Sequence, residues 1–331
     1  MPFTHILGQD TAVSTITRAL RSGRVHHAYR FEGPDGVGKE MTAAALAQAL
    51  VCTGGDPLGC GECSACKRAI ARSPGKPASP LHPDVAIVAR NFYPAATIGR
   101  KNDEVTEISV DQVRTIVLQH ASYPPHEGRA RVFLVRGADE LNTAAANALL
   151  KTLEEPRTGT HFVLTTSRPD SLLNTIRSRT MPVRFAPLPE EVIRGVLLAR
   201  GIPEARHELA LELCGGSASA ALELCDEEAT AAREAFVTRV FEAVDAKDLG
   251  AAVALAESLE KDKELLKNEL RAFGATLARR ARGDVEAAPA AAELLARRYA
   301  AVTRAVVRLE RNASPQLAMV SLVADLREAA G

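Results

Sequence analysis

Apolar residues in the first half of the chain follow two rhythms. Short apolar runs predict strands at Tyr29–Glu32, Asp84–Val88, Arg131–Val135 and Phe162–Thr165. Three-to-four-residue spacing predicts helices at Asp10–Ser22, Glu40–Val51, Val110–Ala121 and Thr143–Glu154. Strands alternating with helices argue for an α/β layer with a mostly parallel sheet, because parallel strands need long crossovers and a helix is the usual one. In the helix over Thr143–Glu154, Ala144, Ala148, Leu149 and Leu153 fall on one face, which is expected to pack on the sheet.

Two polar stretches interrupt this pattern. Arg72–Leu81 is rich in Pro, Ser and Lys, and Asn91–Glu107 mixes charges with Pro and Gly. Both read as surface loops, the second as a candidate for disorder. Arg100 and Lys101 are candidate phosphate-backbone contacts, with a solvated loop the favoured reading. Beyond Pro187 and Pro189 the strand signals end, and helical periodicity rich in Ala, Leu, Glu and Arg runs nearly to Gly331. A break near Asp226–Thr230 divides this half. The expected organisation is an α/β core over 1–187, a small helical unit over 188–228 and a larger all-α unit over 229–331. No internal repeat of fixed period is evident.

The helix beginning near Glu40 follows a glycine-rich turn, Gly33-Pro34-Asp35-Gly36-Val37-Gly38-Lys39, itself preceded by the strand candidate Ala28–Phe31. Two glycines with four residues between them and then a lysine have phosphate-loop spacing, in which backbone N–H groups and the lysine cradle phosphates. Glycine-rich turns also join strands to helices without any ligand, but the strand-loop-helix context favours the phosphate loop. The eighth position should be Ser or Thr, whose hydroxyl ligates Mg²⁺, and here it is Glu40. The strand that should deliver a metal-binding Asp and a water-positioning Glu runs instead into Arg136 and Gly137. ATP or ADP binding therefore stays open, with magnesium-dependent binding expected to suffer most.

Cys52, Cys60, Cys63 and Cys66 form a second cluster, wrapped by Gly54, Gly55, Gly59 and Gly61. Two-residue spacings let thiolates converge on one ion, and four soft sulfurs favour Zn²⁺ in a closed structural site. A redox pair would use a single Cys-x-x-Cys, and a set of unrelated buried thiols is the other competing reading. Cys214 and Cys225 sit in apolar helical sequence and read as buried thiols.

Composition narrows the function classes. The 331 residues are long for one core. With 41 acidic residues against 41 Lys plus Arg, no global basic field marks a stand-alone nucleic-acid binder. The first residues lack secretory-signal character and no apolar run approaches the roughly 18 residues of a membrane span. The expectation is a soluble, cytoplasmic protein without membrane contact, whose thiols stay reduced.

The stretch from Ala144 to Pro156, Ala-Ala-Ala-Asn-Ala-Leu-Leu-Lys-Thr-Leu-Glu-Glu-Pro, followed by Ile176-Arg-Ser-Arg179, resembles the bacterial clamp-loader branch of the AAA+ ATPases. The resemblance extends back through the phosphate loop, the cysteines and His82-Pro-Asp84, and covers most of residues 1–225. It implies an AAA+ core with a zinc-binding insertion, a small helical lid and a C-terminal helical collar that joins subunits into a ring. The degraded loop resembles the delta-prime type, the subunit that does not hydrolyse ATP.

Position by position, the resemblance makes Lys39 the phosphate-loop lysine and puts Arg136 and Gly137 where the metal-binding Asp and catalytic Glu belong. Thr166 matches the sensor of the γ-phosphate. Gly215–Ala220 resembles the second sensor segment, with Ala220 where the family's motors carry arginine. Arg179, in Ser178-Arg179-Thr180 where the family has Ser-Arg-Cys, matches the arginine finger that acts on a neighbour's nucleotide; an ordinary surface ion pair is the alternative. Lys151, Glu154 and Glu155 form either a solvated face or, by the resemblance, a subunit interface.

The implied partners are the gamma/tau motor subunits and the delta subunit in a pentameric ring, the sliding clamp, and primed template DNA reached through the complex at replication forks. Two alternatives compete. An ATP-hydrolysing motor draws support from Gly33, Gly38 and Lys39 and is opposed by Arg136. A zinc-dependent DNA-binding module is disfavoured by neutral charge and a closed cysteine cluster.

Overall fold

The computed structural model describes residues 2–74, 77–99, 105, 107–246, 248, 250–258, 263–311 and 313–329. Arg100 and Lys101 lie outside them, as does most of the 100–106 stretch. The chain separates into two compact units, Met1–Val192 and Ile193–Gly331.

The first unit is built on a five-stranded parallel sheet of order β2-β3-β4-β1-β5. Its strands are β1 (Ala28–Glu32), β2 (Val85–Val88), β3 (Arg131–Val135), β4 (Thr160–Thr166) and β5 (Met181–Arg184). In-register pairs such as Phe31 with Thr165 and Phe31 with Val183 place β1 between β4 and β5. The C-terminal ends of β1, β3 and β4 thereby lie side by side, where α/β sheets bind ligands. The sequence signals four of these strands and misses β5. That strand is short, sits at the sheet edge, carries Pro182 and buries only Val183.

Helix α1 (Asp10–Arg21) buries Ala12, Ile16 and Leu20 on one stripe. Helix α2 (Lys39–Val51) is buried almost all round, which its alanines permit because they demand little space between neighbouring layers. Helix α3 (Ser64–Ile70) follows the cysteine segment. Helix α4 (110–121) runs through a π-helical stretch at Val113–Leu118 that periodicity does not signal. Helix α5 (Thr143–Glu154) is capped by Asn142, whose side chain accepts from the Ala145 N–H.

The packing face of α5 is Ala145, Ala146, Leu149 and Leu153, while Ala144 is exposed and Ala148 half-buried. This corrects the expected face. Consecutive alanines carry no hydrophobic phase, so the leucines and the sheet decide which of them turn inward. Phe133 and Phe162 stack at 5.2 Å in the same core, and each such fully buried side chain contributes about 2 kcal/mol.

The second unit is helical, and its largest described helices are Glu227–Asp245, Lys263–Asp284, Pro289–Glu310 and Pro315–Glu328. They enclose a core of their own that includes Phe236, Val240, Leu270, Phe273, Ala305 and Met319. Asp226 caps the first of these by accepting from the Ala229 N–H, at the break read from the sequence. Among the described residues no helix is long and apolar enough to cross a membrane.

Candidate functional site

The glycine-rich turn connects β1 to α2. Gly33 has φ of +150°, and a Cβ there would stand 2.2 Å from the Phe185 carbonyl oxygen, so only glycine fits the close approach. Gly36 and Gly38 take left-handed conformations at φ +71° and +101°. Gln9, buried, donates to the Val37 and Ala186 carbonyls at 3.1 and 2.7 Å and accepts from the Ala186 N–H. It fastens the turn to the segment beyond β5, a role that no sequence signal announced.

Lys39 is 5% exposed. Its ammonium donates to the carbonyls of Gly33 and Pro34, each at 2.6 Å, and to the Asp35 carboxylate at 3.1 Å. The turn that would cradle phosphates thus folds onto its own lysine.

Glu40, in the first turn of α2, meets Arg136, just beyond β3, at 3.0 Å. Arg72 lines the same shallow pocket, together with Thr165. Burial and the nearby Arg136 lower the Arg72 guanidinium from its ordinary value, and Glu40 partly offsets them. The described residues of the Arg72–Leu81 stretch stay at the surface, with a local pairing inside the loop. Arg72 bridges Pro80 in antiparallel fashion, the Ser73 N–H donates to the Ser79 carbonyl, and the Arg72 side chain turns into the pocket.

Gly137 carries no side chain and donates its N–H to Thr165 Oγ1 at 3.3 Å. Thr166, at the end of β4, donates its hydroxyl to Asp139 at 2.7 Å and accepts from the Arg168 N–H. Asp139, whose side chain is 4% exposed, also pairs with Arg168 at 2.9 Å. The only hydroxyl proton of Thr166 is spent inside the protein. Ala220 lies in the second unit, on the helix Ala218–Cys225, whose cap is Ser217.

Cys52, Cys60, Cys63 and Cys66 have their sulfurs within 4.8 Å of one another. Separations of 3.7, 4.0 and 3.9 Å for Cys52–Cys60, Cys52–Cys63 and Cys60–Cys66 approach the ~3.8 Å edge of a tetrahedron with 2.3 Å metal–sulfur bonds. The N–H groups of Gly54 and Cys60 point at the Cys52 sulfur, that of Cys63 at Cys60 and that of Cys66 at Cys63. Burial pulls the Cys63 thiol upward, but hydrogen bonds from Cys66 and Thr53 outweigh it and bring it down to about 5. Hydrogen bonds from the Cys63 and Glu62 backbone likewise lower Cys60, whereas burial raises Cys66. The donor set fits a four-coordinate soft-metal site with no position left for water.

Asp84 ties the cysteine side of the unit to the loop before β3. Its carboxylate accepts from the N–H groups of His126, Glu127 and Gly128 at 2.6, 2.8 and 2.9 Å and from Arg131 at 3.0 Å. Burial alone would raise this carboxyl; the donors hold it at about 2. Arg68 of α3 pairs with Glu127 of the same loop.

Arg179 follows the short helix α6 (Asn174–Arg177). It makes the ion pair of its ordinary reading: Nε donates to Glu154 Oε1 at 2.7 Å and Nη2 contacts the same oxygen. Nη1 donates to the Thr175 carbonyl and to Ser178 Oγ, both at 3.0 Å. The pair borders an open cleft of about 540 Å³ that His26, His27 and Met181 also line. Beneath it, buried Thr180 accepts from Arg30 at 2.7 Å and donates to the Ile176 carbonyl. Lys151 and Glu155 are exposed.

Residues 8–189 match the family model described as "DNA polymerase III, delta subunit". The chain belongs to this clamp-loader family. It is 34% identical over 223 residues to the DNA polymerase III subunit gamma/tau of Mycobacterium tuberculosis, a match covering 65% of this chain and 35% of that protein. With the DNA polymerase III subunit delta' of Haemophilus influenzae it shares 38% identity over 164 residues, covering 50% of this chain and 44% of the relative. The delta' subunit of Bacillus subtilis is 29% identical over 213 residues, 64% of this chain and 58% of that one. The match thus spans only about a third of the gamma/tau relative and about half of the delta' relatives. In fold, the chain is similar to a DNA polymerase III gamma subunit-related protein of Thermotoga maritima, with a TM-score of 0.51, 16% identity, and coverage of 96% of this chain and 99% of that one. The architecture is the AAA+ phosphate-loop core with a helical C-terminal region.

Proposed function

We propose that this family member is a non-hydrolysing, delta-prime-like subunit that completes a neighbour's ATP site while a DNA polymerase III clamp loader places the sliding clamp on primed DNA. The observation that carries the reading is the Glu40–Arg136 ion pair at 3.0 Å. A phosphate-loop ATPase holds Mg²⁺ between an eighth-position hydroxyl and a strand-end acid. Here a carboxylate and a guanidinium take those positions and neutralise each other. Gly137 has no side chain to orient water, and the Thr166 proton is committed to Asp139. The same pair opposes the motor reading, despite Gly33, Gly38 and Lys39.

Arg179 supplies the function that remains. Its guanidinium lies beside an open cleft, where a neighbour's phosphoryl group could meet it and have its developing charge stabilised. Residues 1–187 form the AAA+ core, 188–228 the lid and 229–331 the collar that joins gamma/tau and delta subunits in a pentameric ring. Cys52, Cys60, Cys63 and Cys66 hold a structural Zn²⁺, and the protein works in the cytoplasm at replication forks.

The test combines two measurements. Phosphate release by the isolated chain with Mg²⁺, ATP and primed DNA should stay at background. Rings reconstituted with motor and delta subunits and carrying Arg179→Ala should assemble, yet hydrolyse ATP and load the clamp more slowly. A trans arginine is worth on the order of 10³-fold at one site, diluted in a ring whose other sites keep their own arginines. Arg179→Lys should rescue poorly, since a point charge lacks the planar fork. Motor-like turnover by the isolated chain, or wild-type rates from Arg179→Ala rings, would overturn the proposal.

A further inference from the structure

Arg179 does not wait with a free guanidinium. The Nη1 hydrogens go to the Thr175 carbonyl and Ser178 Oγ, and the Nε hydrogen and one Nη2 hydrogen go to Glu154 Oε1. Among the described residues, one Nη2 hydrogen is left. A guanidinium grips a phosphoryl group best through two parallel N–H bonds, so a bidentate hold on a phosphate requires Arg179 to release a partner.

The partners differ in how readily they yield. The Thr175 carbonyl belongs to the α6 backbone and cannot leave without unfolding the turn, and Ser178 Oγ is adjacent in the chain and itself donates to that carbonyl at 3.1 Å. Glu154 sits at the end of α5, binds through one oxygen only, and has a side chain 46% exposed against 32% for Arg179. An ion pair in such solvent-screened surroundings holds weakly. A polyanionic phosphate chain, carrying more charge than one carboxylate, displaces it, and Glu154 can swing into water on its own rotamers.

We propose that Glu154 is a releasable latch on Arg179, holding the guanidinium against its own subunit until a neighbour's nucleotide phosphate takes the carboxylate's place. This rests on the reading of Arg179 as an arginine that acts in trans. The latch keeps a mobile side chain in one rotamer before assembly and sets a small barrier to engagement with the neighbour's ATP. Glu154 is thus a positioning residue that works against premature contact.

The experiment compares rings reconstituted with wild-type chain, Glu154→Gln, Glu154→Ala and Arg179→Ala, measuring ATP hydrolysis across ATP concentrations with and without primed DNA. Removing the charge should ease engagement. Both Glu154 variants should lower the half-saturating ATP concentration and raise the DNA-independent rate about two- to fivefold, the range of an exposed ion pair, while the maximal DNA-stimulated rate holds. Glu154→Gln keeps an acceptor for the guanidinium. If Glu154→Ala cut the maximal rate and Glu154→Gln restored it, Glu154 would be a support and the latch would be wrong. Glu154 variants indistinguishable from wild type, in a set where Arg179→Ala is slow, would remove the latch and leave the trans arginine standing. If Arg179→Ala were also unchanged, the arginine reading itself would fall, and the latch with it.

Discussion

The Arg136 guanidinium lies 3.0 Å from the Glu40 carboxylate, joining the strand end to the first turn of the helix after the phosphate loop. On the proposed non-hydrolysing reading, the pair is an internal substitute for the bound metal. It follows that Mg²⁺ should not strengthen nucleotide binding by the natural chain. A Glu40→Thr, Arg136→Asp double variant should acquire magnesium dependence, measured as the affinity for a fluorescent nucleotide with Mg²⁺ against that with chelator. Equal affinities in the variant would show that the pair is not what excludes the ion. Either substitution alone should weaken folding, Glu40→Thr more, because it leaves Arg136 and Arg72 in one pocket without their shared acid.

Asp84 gives the core a pH signature. Its carboxyl is depressed from 3.8 to about 2 in the folded state, so the folded form is favoured fully above the unfolded value and loses that advantage as pH falls through about 2. The contribution is about 2 kcal/mol. Chemical denaturation at stepped pH should show Asp84→Asn less stable than wild type near neutrality, with the gap closing by roughly that amount between pH 5 and pH 2. A constant gap would separate the carboxylate's charge from its role. Asp84→Ala, which strands buried Arg131, should cost about 3–5 kcal/mol.

Metal content should be one zinc per chain, and chelation should lower the melting temperature without touching any reaction, since no coordination position is left for water. Gly54 sharpens the test. A Cβ there would stand 2.7 Å from the Cys60 sulfur. Gly54→Ala should therefore weaken zinc by roughly tenfold or more in competition with a chromophoric chelator, with all four sulfurs still present. Full affinity in Gly54→Ala, or a full equivalent of tightly held metal in a Cys60→Ser, Cys63→Ser variant, would argue against the four-sulfur site.

Thr180, next to Arg179 in the chain, anchors the turn that carries it. Its buried hydroxyl accepts from Arg30 and donates to the Ile176 carbonyl, so Thr180→Val leaves a buried guanidinium hydrogen unmatched. Thermal or urea unfolding should register a loss of about 1–3 kcal/mol, while Thr180→Ser should stay near wild type. Equal losses in both would point to the methyl group's packing instead of the hydroxyl.

The features legible in the sequence are those that local spacing encodes. Alternating strands and helices, the phosphate-loop glycines with Lys39, and the four cysteines each lie in one short stretch where period or ligand spacing carries the physics. The signals at Glu40 and Arg136 are equally local, since each occupies a position whose neighbours set the residue expected there. Strand β5 escaped because it is short, proline-bearing and mostly exposed. The packing face of α5 escaped because a run of alanines has no phase.

Tertiary structure decided how distant residues pair. That Glu40 meets Arg136, that Thr166 spends its proton on Asp139, that Arg72 reaches the pocket and that Glu154 holds Arg179 depends on which strand ends the sheet order sets side by side. A charged residue reads in sequence as solvated whether its partner is water or a distant side chain. Only the folded backbone, by bringing opposite charges within a few ångströms, separates the two.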